Sequence, residues 1–360
     1  MKILYFAPIP YTGLKQRPQY IAEILAQKHE IHYIEPTISI LKFRHNDFKG
    51  SHYKPSEHLH VIRPDGSFTA YRSVELFDFL HINTISERIQ LRSLIEDCDL
   101  IWVGYPLWYN VISNAKNKKL IYDKMDENAL LVKNGILRRF ISQAEIKLIK
   151  KADLVFVSAQ KFLDDTRKYN SNTYLIPNGV REDVPVFHPN RTDNGKYIFG
   201  YIGTISHWFD FEAIQTILNA SNKNFVILAG PNEIPLIKHP RITYLGTIPH
   251  DKIPELIQQF DVCLYPFKKG PILDTINPVK IYEYLAVNKP VIAVRSRETE
   301  KFKDIILLYD NLRELERMAI GPFKPPFNDE QERMCFVKSN SWRSRVENIY
   351  LYFNNVLHLN

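Results

Sequence analysis

Residues 261–294, DVCLYPFKKGPILDTINPVKIYEYLAVNKPVIAV, decide the fold of this chain. The run 262–267 is apolar enough to be a strand buried on both faces, and a loop follows it. Asn277 and Pro278 then read as N-cap and first position of a helix that runs to about Val287. Asn288-Lys289-Pro290 stops that helix, and 291–294 resumes as a strand. A strand–helix–strand crossover of this kind places the helix N-terminus at the carboxyl edge of a parallel sheet. Lys280 falls in the first turn, where a cation opposes the helix dipole unless an anion binds there and reverses the sign. Glu283, three residues on, shares its face. Two readings stand. That face offers an ammonium and backbone N–H groups to phosphates and a carboxylate to sugar hydroxyls, or the two side chains form a surface ion pair.

The same alternation extends both ways along the chain and predicts an α/β fold with parallel sheets. Strands are expected at 3–7, 31–35, 100–104, 120–125, 154–158 and 173–176, with helices clearest at 17–27 and 137–150. Pro177-Asn178-Gly179 signals a turn, and the polar, proline-containing stretch 184–195 reads as a linker. Strands resume at 198–203, 225–229, 242–245, 262–266, 291–294 and 305–308. At 360 residues, the chain fits two domains of ordinary size, expected at 1–184 and 185–335, with a cleft between their sheet edges. Residues 336–360 read as a terminal helix, capped by Ser339 or Ser341, with Trp342, Val346, Ile349, Tyr350, Phe353 and Val356 at three- and four-residue spacing.

Three scattered cysteines fit a reducing, cytoplasmic setting better than a disulfide framework, and no apolar run reaches the ~18 residues of a membrane span. The net charge of +7 favours a polyanionic partner: nucleic acid, an anionic membrane or a nucleotide-activated substrate. Aromatics interleave with cations at 41–53 and around 68–79, which suits either an interfacial membrane contact or two solvated loops. No nucleic-acid-binding motif accompanies the charge, so nucleic acid is not expected.

Two further places carry the anion argument. Gly13, Lys15 and Arg17 lie between the first strand and a helix opened by Gln16-Arg17-Pro18, where Arg17 either meets an anion or pairs with a carboxylate. Gly200-Tyr201-Ile202-Gly203-Thr204 ends the first strand of the second half, where free N–H groups meet phosphate or the glycine serves a turn.

Together, 16–36 (QRPQYIAEILAQKHEIHYIEP), LIYDKMDE at 120–127, ADLVFVSA at 152–159, PNGV at 177–180, FGYIGTI at 199–205, DVCLYPF at 261–267 and NPVKIYEYLAVNKPVIA at 277–293 resemble the glycosyltransferases of the two-Rossmann (GT-B) fold. The resemblance is to the bacterial group-1 type that assembles cell-surface polysaccharides, teichuronic-acid-type transferases included. It implies two Rossmann-like domains, the second binding a nucleoside-diphosphate sugar, UDP-linked by preference, and the first a lipid-linked or glycan acceptor. It implies too that the terminal helix crosses back to the first domain. Glu283 then matches the glutamate that holds the nucleotide ribose. Lys280 and the amides of Gly203 and Thr204 then face the diphosphate, Asn277 belongs to the donor site, and Gly230 and Ile248 occupy the region that frames the base. Gly13, Arg17 and His207 fall on the acceptor or phosphate side.

There are departures. Where retaining members carry a second glutamate, eight positions before Glu283, this chain has Thr275, with Asp274 beside it. The family's usual histidine gives way to Met125 or Asp126, and its Arg and Lys pair is missing from TISHWFD at 204–210. The stereochemical outcome is therefore open. For an inverting reaction, Asp126 is the expected base, with Asp123 and His207 behind it; Asp126 as a cap of the following segment is the other reading. No metal or other cofactor is expected, since Asp97-Cys98-Asp99 precedes its strand and the histidines show no ligand spacing. His58 and His60 are the closest interesting pair and are placed in a loop or exposed strand. The expected protein is a cytoplasmic glycosyltransferase held at an anionic membrane surface. A nucleotide-sugar epimerase of the same fold and a catalytically silent membrane-binding scaffold are the alternatives.

Overall fold

The computed structural model describes residues 1–13, 15–37, 50–65, 82–132, 134–184, 195–249 and 252–358. Most of the aromatic–basic stretch 41–53, all of 68–79 and most of the expected linker 184–195 lie outside the described residues. The chain forms two compact units, Met1–Pro177 with Arg345–Asn360, and Asn178–Ser344.

In the first unit the strands are β1 (Lys2–Phe6), β2 (Glu30–Ile34), β3 (Ser51–Ser56), β4 (Leu59–Arg63), β5 (Leu100–Val103), β6 (Lys119–Lys124), β7 (Leu154–Val157) and β8 (Thr173–Leu175). They lie in the order β3-β4-β2-β1-β5-β6-β7-β8. The pairings are parallel except for β3 with β4. Helices α1 (Arg17–Leu25), α2 (Ile82–Gln90), α3 (Arg92–Asp97), α4 (Tyr109–Ile112), α5 (Gly135–Lys151) and α6 (Gln160–Thr166) connect them. The central strands read as apolar runs because both faces are covered. On one face Leu4, Phe6, Ile101, Val103 and Tyr122 pack with Trp108 and Leu148. On the other, Tyr5 stacks between Tyr33 and Trp102 at 5.5 and 5.4 Å.

The second unit holds β9 (Tyr197–Ile202), β10 (Asn224–Ala229), β11 (Ile242–Gly246), β12 (Val262–Tyr265), β13 (Val291–Val294) and β14 (Leu307–Tyr309). All are parallel, in the order β11-β10-β9-β12-β13-β14. Its helices are α7 (Phe211–Ala220), α8 (Ile253–Gln258), α9 (Val279–Ala286), α10 (Leu312–Met318) and α11 (Glu330–Ser339), followed by α12 (Trp342–Tyr352). The order reverses between β9 and β12, and a crevice outside the carboxyl ends at such a switch point is where doubly wound sheets bind ligands.

Helix α12 begins in the second unit and ends in the first. Ser341 caps it, its hydroxyl accepting from the Ser344 amide at 3.0 Å. Trp342 stays with the second unit, against Gly179. Tyr352 stacks on Tyr174 at 4.1 Å, and Phe353 meets Trp102 edge-on at 6.3 Å, so the aromatic stripe from Tyr350 onward closes the second face of the first sheet.

Three sequence expectations need correction. His60 lies in β4, within the expected loop or exposed strand, but its partner β3 was not foreseen, because SHYKPS is polar, exposed and contains Pro55, as an edge strand can. The expected strand 305–308 begins at Leu307 instead, because the Ile305 and Ile306 amides both turn back to the Phe302 carbonyl, at 2.9 and 3.0 Å. Asn277 does not cap α9. Pro278 holds the cap position, and the Asn277 side chain is drawn to residues far away in sequence.

Candidate active site

Helix α9 follows β12 through a loop with one 3₁₀ turn (Leu273–Thr275), so its first turn stands at the carboxyl edge of the second sheet. A polar chain, buried at Asn277 and Glu298, holds it there. The Asn178 amide donates to Asn277 Oδ1 at 2.8 Å, Asn277 Nδ2 donates to Glu298 Oε2 at 2.8 Å, and Lys301 Nζ donates to both Glu298 oxygens at 2.8 and 2.7 Å. Glu298 is wholly buried, so Lys301 and Asn277 satisfy a carboxylate that would otherwise be costly. The start of α7 is occupied by its own chain, Asp210 accepting from the Glu212 and Ala213 amides. No side chain caps α9. Val279 and Ile281 donate to the Asn277 and Pro278 carbonyls, and the Lys280 amide has no partner among the described residues.

Lys280 Nζ lies 2.7 Å from Glu283 Oε2, and both side chains are about a fifth to a quarter exposed (24% and 20%). An ion pair that open to water is worth about 0–1 kcal/mol, little enough for a ligand to exchange.

The loop after β9 is stitched on both sides. Ile205 pairs with Asn232 beyond β10, and Phe209 with Phe267 beyond β12, so the loop spans the switch point. Ser206 donates to Glu233 Oε2 at 2.5 Å, and His207 beside it is exposed. The Gly203 amide is already used, donating to the Ala229 carbonyl at 2.8 Å, and so is not offered to a phosphate. The Thr204 amide has no partner among the described residues. Gly230 has φ +131, and a Cβ there would lie 2.1 Å from the Gly203 carbonyl oxygen, so the backbones touch only because Gly230 lacks one. Gly200 is a glycine for packing, since a Cβ would sit 2.0 Å from the Phe260 ring. Ile248 packs at the edge of the core. A cavity of about 320 Å³ opens outside β12, β13 and β14, lined by Asp210, Lys268, Lys269 and Asp310 among others, and takes in neither Lys280 nor Glu283.

In the first unit, Arg17 is committed. Its guanidinium grips Asp123 at 2.8–3.2 Å and donates to the Ile176 carbonyl at 2.7 Å, with both side chains almost wholly buried. Lys15 is paired with Glu23. Gly13 takes φ +109 in open space after β1. Asp126 follows β6 and differs from Asp123 in every respect that matters to a base. It reaches solvent, and its carboxylate caps nothing and has no partner among the described residues; Asn134 caps α5. Protein nevertheless crowds it enough to raise its pKa above the usual carboxylate range, against Lys124 and Arg17, which pull it down.

Residues 196–314 match the family described as glycosyl transferases group 1. This segment is a group 1 glycosyl transferase domain. The chain is similar to TuaH of Bacillus subtilis (strain 168), named as a glycosyltransferase of teichuronic acid biosynthesis, at 22% identity over 226 residues. That match takes in 56% of this chain and 57% of TuaH, so it spans little more than half of the relative. Among solved structures, Anabaena Alr3699/HepE in complex with UDP and glucose superposes with a TM-score of 0.67 at 14% identity, covering 98% of this chain and 99% of that one. The α,α-trehalose 6-phosphate synthase of Burkholderia multivorans gives 0.67 at 11%, covering 99% and 98%. At these identities the likeness is one of fold, and the fold is GT-B.

Within the second unit, sequence reasoning missed the Asn277–Glu298 bond and the part Asn178 plays. Glu298 sits in RSRETE, a charged run that reads as solvated loop, and its partner lies 21 residues away. Asn178 carried a signal, the Pro-Asn-Gly turn, but not one that named its partner.

Proposed function

We propose that this protein is a glycosyltransferase that moves a sugar from a nucleoside-diphosphate sugar, UDP-linked by preference, to a lipid-linked or glycan acceptor in cell-surface polysaccharide synthesis. The observation that carries this reading is the uncapped start of α9 in a group 1 domain, with Lys280 and Glu283 on its face. The diphosphate would take the Lys280 ammonium and the free first-turn amide, and the ribose hydroxyls the Glu283 carboxylate. Asn178, Asn277, Glu298 and Lys301 position that turn, the Thr204 amide lies toward the phosphates, and Gly230 and Ile248 lie toward the base. UDP in HepE and the polysaccharide named for TuaH support the donor and acceptor classes.

Asp126 is the proposed base for direct displacement. It would accept the acceptor hydroxyl proton as that oxygen attacks the anomeric carbon and the nucleoside diphosphate leaves, which inverts the centre. A base must be ionised, so turnover rises with pH through the raised pKa of Asp126 and then levels. The role needs no metal. Among the described residues no helix is long and apolar enough to cross a membrane. The net charge of +7 is proposed to hold the enzyme peripherally on anionic lipid, an attachment that rising salt weakens.

A panel of UDP-, GDP- and dTDP-sugars, screened by calorimetry and then for slow hydrolysis, tests the donor. Binding and hydrolysis confined to UDP-sugars is expected. Failure of every nucleotide to bind overturns the reading, and hydrolysis with no transfer to any lipid-linked or glycan acceptor overturns its acceptor half.

A further inference from the structure

Parallel pairing of β2 with β4 sets His32 directly beside His60. Glu30, two residues before His32, points to the same face of the sheet. One ligand atom from each of the three lies within 4.8 Å of the others, and His32 Nε2 is 2.8 Å from Glu30 Oε1. We propose that Glu30, His32 and His60 form a binding site for a divalent transition-metal ion of the zinc class, at the amino edge of the first sheet.

The donor set is two imidazoles and a carboxylate, which suits zinc and its neighbours rather than magnesium or calcium. Zinc bonds of ~2.0–2.2 Å put tetrahedral ligand atoms about 3.4 Å apart, so contacts as long as 4.8 Å must close by up to about 1.4 Å while the 2.8 Å contact of Glu30 with His32 opens. Glu30 can supply that movement, since its side chain is 45% exposed. His32 is held by burial, at 6% exposure, and its Nδ1 is a buried polar atom with no hydrogen-bond partner. A third histidine orients the second ligand: His52 Nε2, on β3, is 3.1 Å from His60 Nδ1. When His60 Nδ1 donates that bond, its Nε2 presents a bare lone pair, the form a metal takes. Lys2 competes weakly. Its ammonium is 3.8 Å from Glu30 but 2.6 Å from Asp97.

This cluster stands where β2 and β4 begin, whereas Asp126 and Gly13 follow the carboxyl ends of their strands, so it is no part of the donor or base assignment. Its effect would be mechanical. The ion ties β4 to β2, and with it the exposed edge strand β3, which among the described residues pairs with β4 alone.

The test uses tag-free, metal-stripped full-length protein titrated with Zn²⁺ by calorimetry and with Co²⁺ by visible absorption, with melting curves alongside. One equivalent per chain is expected, with a Co²⁺ spectrum of nitrogen and oxygen ligands and a melting temperature that rises with Zn²⁺. His60→Ala and Glu30→Gln should each weaken Zn²⁺ at least a hundredfold and abolish the rise. The exposed His52→Gln, which leaves the ligands in place, should weaken it about tenfold, the lower end of the effect of an outer-shell partner. Should His60→Ala fail to fold, Glu30→Gln and His52→Gln decide alone. No stoichiometric binding, full affinity in the variants, or a thiolate charge-transfer band in the Co²⁺ spectrum would each overturn the proposal.

Discussion

Arg17 and Lys280 pose the same question in sequence, a cation in the first turn of a helix that follows a strand, and the structure treats them in opposite ways. Arg17 is sealed under the first sheet's edge with Asp123 and two carbonyls, a buried fork whose three nitrogens are all engaged within the protein. Lys280 makes one exposed contact with a residue on its own helix. The first is a structural joint and the second an exchangeable contact, and burial alone separates them.

The largest effect that would break this contrast concerns the two aspartates beside Arg17. Asp126→Asn should cut turnover by ~10²–10⁴-fold, the range for a lost general base, with nucleotide affinity and melting temperature nearly unchanged. A fully active Asp126→Asn, or a product that keeps the anomeric configuration of the donor, removes Asp126 from that role. Asp123→Ala should act on the fold. Leaving the Arg17 guanidinium buried and unpaired costs about 3–5 kcal/mol, read as a lower urea midpoint, while Arg17→Met with Asp123→Leu should recover part of it. If Asp123→Ala were as stable as the native chain, the buried-joint reading would fail.

Smaller effects test the exchangeable side. Glu283→Ala should weaken the nucleotide that binds by roughly 1.5–3 kcal/mol, the range for hydrogen bonds to a charged group, as measured by calorimetry. Lys280→Ala should match it for diphosphates and leave nucleosides unaffected. Smallest of all, a double-mutant cycle on stability for Lys280 and Glu283 should give under ~1 kcal/mol. A much larger coupling would make the pair structural, like Arg17 and Asp123.

The sheets were legible because buried parallel strands are apolar throughout, as in LVFV and VIAV, whereas β3 left no apolar run to read. The position of α9 was legible, and its cap was not. An Asn before Pro is a local signal for a cap, and Asn178, 99 residues away, with Glu298 overrides it. The histidine cluster was illegible for the same reason. His32 and His60 are 28 positions apart, and only the β2–β4 register makes them neighbours. Arg17 shows the limit from the other side, since its sequence context admitted both an anion and a carboxylate, and nothing local named Asp123.

The glycines within β9 and just after β10 carry a consequence for how such chains drift. Gly200 is required by the Phe260 ring and Gly230 by the Gly203 carbonyl, so mutational pressure on them comes from steric fit inside the domain, whether or not a sugar is ever transferred. A descendant that lost its chemistry would keep Gly200 and Gly230 and shed Lys280 and Glu283 first. Among related sequences the glycines then report ancestry, and the charge pair on α9 reports whether the trade is still practised.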